Sequence, residues 1–111
     1  MSIATTVQAT SQDLVRFLLT CVEQDERELK RLARQQHDLD VEPAARSIER
    51  LLAEAAAKRR LIGCLQQLLV LRDQPSEKAV RDQAGQMLRV LAVPYQNAAG
   101  YRREWRPTGS H

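Results

Sequence analysis

SIERLLAEAAAKRRLIGCLQQLL, Ser47 to Leu69, carries the clearest helical pattern in the chain. Its apolar residues Ile48, Leu51, Leu52, Ala55, Ile62, Leu65 and Leu69 recur at three- and four-residue spacings. That is the period of one helix face, and Ala, Leu, Glu, Lys, Arg and Gln between them are strong helix formers. With Pro43 in its first turn, the spacing predicts a helix from about 43 to about 72, near 43 Å long at ~1.5 Å per residue.

The same periodicity recurs upstream. Leu14, Phe17, Leu18, Cys21, Val22, Leu29 and Leu32 predict a first helix over about 12–36, with Ser11 as N-cap and Asp13 in its first turn. Downstream, Asp73-Gln74-Pro75-Ser76 punctuates the chain, and Val80, Ala84, Met87, Leu88 and Leu91 predict a third helix that Pro94 ends. A further short helix is expected around Tyr101–Trp105. Short connections make neighbouring helices antiparallel. The expected fold is all-α: a long antiparallel helical hairpin, a shorter third helix, and an aromatic-basic C-terminal tail packed back on the bundle. The expected limits are a flexible arm over 1–10, one helical domain over 11–107 and a disordered end over 108–111.

Length and composition bound the function. A chain of 111 residues holds one domain and excludes a two-domain enzyme, a (β/α)₈ barrel or a full dinucleotide fold. Two cysteines exclude a disulfide framework, and two histidines argue against a zinc site. The net charge of +3 arises from 17 basic and 14 acidic residues that mostly alternate, as in Glu26-Arg27-Glu28. That is the pattern of a solvated surface, not of a dedicated nucleic-acid face. The longest strongly apolar run, Leu68–Leu71, is far short of a membrane span, and residues 1–10 lack the features of a signal peptide. A cytoplasmic protein with reduced thiols and no cofactor is expected.

Several side chains stand out against this background. Asp25 falls on the apolar stripe of the first helix and Arg59 on that of the second; hairpin register brings them within about a turn, so an internal ion pair is expected. Gly63 faces Gly85 in the same register, which predicts a close approach of the second and third helices. Cys21 and Cys64 lie on or near apolar stripes about five residues apart along the hairpin, too far for a bridge, and are read as buried hydrophobes. The acids Glu23, Asp25, Glu26 and Glu28, with Glu49 and Glu54 opposite, are the basis of a metal-dependent nucleotide hydrolase alternative, which Lys58-Arg59-Arg60 crowds. His37, Asp38, Asp40 and Glu42 match no metal-ligand spacing. No phosphate-binding glycine loop or nucleophile motif is present.

The tail, PYQNAAGYRREWRP from Pro94 to Pro107, holds three of the four aromatic residues and three arginines. Two readings compete. The rings fold inward, with the flat Ala53, Ala55–Ala57 surface as the expected landing place. Alternatively Tyr95, Tyr101, Arg102, Arg103, Trp105 and Arg106 serve as partner anchors, being residue types favoured at binding hot spots.

The motifs DLVRFL (13–18), EQDE (23–26), the Glu54 to Arg60 segment and above all VLAVPY (90–95) followed by YRREWRP (101–107) resemble a family of small uncharacterised proteins. It is a domain of unknown function common in streptomycetes and related actinobacteria and their phages. The family's tail reads LALPY, then YRxEWRP. Here Ala98 and Ala99 replace the family's His-Pro, and a Trp-containing insert after the first helix is missing. The resemblance implies an actinobacterial context and transfers no catalytic residue.

The function expected is therefore a non-enzymatic interaction or adaptor protein whose partner is another protein or a second copy. A third helix of 16–18 residues (~25 Å) cannot cover a ~43 Å hairpin, and apolar surface at the uncovered end favours a homodimer. A weak nucleic-acid binder using Arg102, Arg103, Arg106 and Lys58–Arg60 is the alternative.

Overall fold

The computed structural model describes the backbone of residues 3–39, 42–70 and 75–107, and the side chains of 11–35, 46–70 and 77–107. Three helices account for most of it: α1 (Ile3–Leu39), α2 (Glu42–Leu68) and α3 (Pro75–Ala92). Two 3₁₀ turns follow, Val93–Tyr95 and Arg103–Trp105. Among the described residues no strand is present, and the all-α hairpin with a shorter third helix is the fold found.

The punctuation works as its chemistry dictates. Pro43 and Pro75 sit in first turns, where the missing N–H costs nothing. Pro94 cannot continue an α-helix, and the chain tightens into a 3₁₀ turn around it. The boundary that differs most is the first. Helix α1 begins at Ile3, eight residues before Ser11, so residues 3–10 of the expected arm are helical. Ser11 is thus no cap, and Asp13 lies well inside the helix.

Leu14, Val15, Leu18 and Val22 of α1 pack with Ala55, Ile62 and Leu65 of α2, with Leu69 just past its end, and with Ala84, Leu88 and Ala92 of α3. Trp105 closes this core and is only 2 % exposed. At ~1.5 Å per residue α3 is ~27 Å long, against ~40 Å for α2 and ~55 Å for α1. The main core therefore lies only where α3 covers the hairpin, in a molecule 57 Å long and 27 Å by 26 Å across. Toward the turn between them, α1 and α2 continue as a pair without α3, and Ile48 is still buried there.

The glycine expectation fails. A Cβ built on Gly63 or Gly85 has nothing within 4 Å, so neither marks a close helix approach. Gly100 is the glycine with a conformational role: its φ of +93° lies in the region side chains avoid, and it turns the tail back onto Phe17.

Candidate functional site

The tail docks on α1, not on the alanine surface of α2. Phe17, Tyr101 and Trp105 form a ring cluster with centroids 5.2 to 5.9 Å apart. Phe17 and Tyr101 meet edge to face, as do Tyr101 and Trp105, the arrangement ring quadrupoles favour. Arg102 lies 5.2 Å from the Trp105 ring and donates to Asp13 Oδ2 at 3.0 Å. Asp13 thus acts as a tail anchor. Ala53, Ala56 and Ala57 remain exposed because Phe17 supplies a larger apolar partner. Of the six tail candidates, Trp105 is buried, Tyr95 and Tyr101 are half-buried, and Arg102, Arg103 and Arg106 face solvent. The indole N–H of Trp105 is buried without a hydrogen-bond partner.

At the other edge of the core a polar latch joins three elements. Tyr95 Oη donates to Asp25 Oδ2 at 2.7 Å and accepts from Lys58 Nζ at 3.0 Å. Burial raises the Tyr95 hydroxyl above its ordinary range, and the hydrogen bond and charge of Asp25 raise it further. The phenol stays protonated and neutral. Burial likewise raises the Cys21 thiol, helped by Asp25 and opposed by Lys58, so it is a poor nucleophile.

The Asp25–Arg59 pair is corrected here. Arg59 pairs with Glu26, one residue along, and Asp25 is exposed and held by Tyr95. A register inferred from the turn centre alone carries an error of a few residues, enough to exchange neighbouring carboxylates. The reading of both cysteines as buried also needs correction: Cys21 is buried, while Cys64 is exposed, and both are free thiols.

Next to the latch, where α3 stops, a groove of about 240 Å³ opens between α1 and α2. Its floor is Leu29, Leu51 and Ala55; its rim is Asp25, Glu28, Glu54 and Lys58. Leu51 belongs to the same stripe as Ala55, Ile62 and Leu69, yet it is 47 % exposed. The core-facing side of the hairpin simply runs on with no third helix over it. Glu28 pairs with Arg31 and Glu54 with Arg50, each along its own helix at the surface. Among the described residues no group of three or more His, Cys, Asp or Glu is arranged to hold a metal ion. The side chains of His37, Asp38, Asp40 and Glu42 lie outside the described residues.

A family model covers residues 11–107, from the first described side chain of α1 to the last of the tail. The chain belongs to DUF6221, a family of unknown function. The span that DUF6221 shares with this chain includes the core, the Tyr95 latch and the docked tail. Comparison with curated proteins and with solved structures gives no match. Among the described residues no DUF6221 helix here is long and apolar enough to cross a membrane.

Proposed function

We propose that this protein is a non-enzymatic interaction module that takes a helix of a protein partner into the uncovered groove of its hairpin. The observation behind the proposal is the mismatch between α3 and the hairpin. The apolar stripes continue past the end of α3, and Leu51 stands exposed where a third helix would cover it. Such a helix would be collinear with α3 and complete the bundle. The rim carboxylates Asp25, Glu28 and Glu54 are engaged by Tyr95, Arg31 and Arg50 at the surface, and a partner whose apolar ridge is flanked by Arg or Lys can compete for them.

The tail aromatics contribute indirectly, by holding α3 and the latch at the groove's end. Arg102 is exposed but engaged by Asp13; Arg103 and Arg106 are the other exposed cations of the tail. Of Lys58–Arg60, Lys58 is engaged by Tyr95 and Arg59 by Glu26, so with Arg60 about three phosphate contacts would support only weak, salt-sensitive nucleic-acid binding. The actinobacterial context suggested by the tail motif would make such a host the place to seek the partner.

The test uses two synthetic helices of about 14 residues (~21 Å) with the same leucine ridge, one flanked by Arg and the other by Glu. The basic peptide is expected to bind, the acidic one at least ~10-fold more weakly. Leu51→Asp should abolish binding without changing the circular dichroism spectrum. Binding of both peptides alike, or binding unaffected by Leu51→Asp, would sink the proposal.

A further inference from the structure

A second apolar surface lies on α3, and its chemistry differs from that of the groove. The sequence pattern assigns Val80 and Met87 to the core stripe of this helix. The structure buries Ala84, Leu88 and Ala92 instead and leaves Val80, Met87 and Val90 39, 46 and 58 % exposed. Spacings of seven and three residues put these three on one stripe of the helix. Ala79 and Gln83 lie on it too and are exposed. All five charged residues of α3 – Glu77, Lys78, Arg81, Asp82 and Arg89 – fall on its other sides. In a chain with 28 % charged residues, a solvent-facing stripe without a charge is a departure that solubility does not favour.

We infer that the outer stripe of α3 is a self-association surface, against which a second copy of this chain lays its own α3 antiparallel. The stripe is self-complementary about the level of Gly85. Val80 precedes Gly85 by five residues and Val90 follows it by five; Gln83 precedes it by two and Met87 follows it by two. Antiparallel pairing about that level therefore brings Val80 onto Val90 of the second copy, and Gln83 onto Met87 of the second copy. Each valine meets a valine, and no charge is desolvated. Opposed helix dipoles add a small favourable term. The groove is unsuited to the same role: face to face, two grooves would set Asp25, Glu28 and Glu54 against the same acids. The stripe from Ala79 to Val90 is ~17 Å long and one helix wide. This is well below the ~800 Å² per partner of a stable complex. The dimer is consequently weak, and concentration sets its population.

Sedimentation equilibrium of the full chain from ~10 µM to ~1 mM should show the mass rising toward that of a dimer. Val90→Glu, at a position too exposed to disturb folding, should weaken association at least ~10-fold by burying an unpaired carboxylate. Leu51→Asp should leave association unchanged, which separates this surface from the groove. Register is tested by cysteine cross-linking in a Cys64→Ser background. A mixture of Val80→Cys and Val90→Cys chains should form the mixed disulfide in preference to either homodimer. A monomer at the highest concentration, unchanged association of a folded Val90→Glu chain, or loss of association in Leu51→Asp would overturn the inference. Preferential Val80→Cys homodimers would overturn the antiparallel arrangement.

Discussion

Replacing Trp105 by alanine should destabilise the fold by about 3 kcal/mol. The side chain is buried against Phe17 and Tyr101 and carries the Arg102 guanidinium over its face. Removing a large aromatic from such a site costs about 3–5 kcal/mol. The low end applies because the indole N–H is buried without a partner, a defect of about 1–3 kcal/mol that the substitution also removes. At about 2.1 cal/mol/K of unfolding entropy per residue, a domain of this length has ~0.23 kcal/mol/K, so Tm should fall by ~13 °C. Circular dichroism gives the melt. Trp105 is the sole tryptophan, so the emission of the wild-type chain reports tail docking directly. A buried indole emits to the blue and resists acrylamide quenching. A Tm unchanged to within ~3 °C (under 1 kcal/mol), or wild-type emission typical of a solvated indole, would show that Trp105 is not part of the core. Either would return the tail to the role of an exposed partner anchor.

Other expectations follow from single observations. Gly63→Ala and Gly85→Ala each place a methyl in open space inside a helix, so each should stabilise by about 0.5–1 kcal/mol and raise Tm by ~2–4 °C; destabilisation by either would restore the close-contact reading. Tyr95→Phe should cost about 1 kcal/mol at neutral pH by removing the hydroxyl between Asp25 and Lys58. Because the Tyr95 proton is held more tightly in the folded than in the unfolded chain, its contribution is complete below about pH 10 and lost as pH rises beyond it. Urea melts at neutral and strongly alkaline pH should therefore show a smaller alkaline loss for Tyr95→Phe than for wild type. Of the two free thiols, Cys64 should react with a disulfide reagent in the native protein, and Cys21 only after denaturation; equal native reactivity would contradict the burial of Cys21.

The hairpin and third helix were legible because the apolar period and the prolines report on local structure. The start of α1 was not. Residues 1–10 carry no apolar stripe, yet they contain no Gly or Pro, and a helix already nucleated propagates at little cost. Asp25 was recognisable as an anomaly on an apolar face, but its partner Tyr95 lies 70 residues away, beyond any pattern in the helix itself. The rotation of α3 was the least visible feature. Val80, Ala84, Met87, Leu88 and Leu91 form one broad sector. Ala92, together with Ala84 and Leu88, reveals which half of that sector turns inward. An alanine is a weak signal in sequence, even where it permits the closest packing.

The short length of α3 leaves the charged-rimmed groove and its rotation leaves an uncharged stripe, and salt should separate the two surfaces. The groove carries Asp25, Glu28, Glu54 and Lys58 on its rim, with Arg31 and Arg50 paired to two of the acids, so contacts of a basic helix with these carboxylates are screened as ionic strength rises. The α3 stripe has no charge to screen, and apolar burial is not weakened by added salt. Moving from low salt to ~0.5 M, where the Debye length is ~4 Å, should weaken peptide binding in the groove and leave the self-association of α3 unchanged or slightly stronger. Parallel weakening of both would mean that charge governs both contacts, and the distinction drawn between the two surfaces would fall.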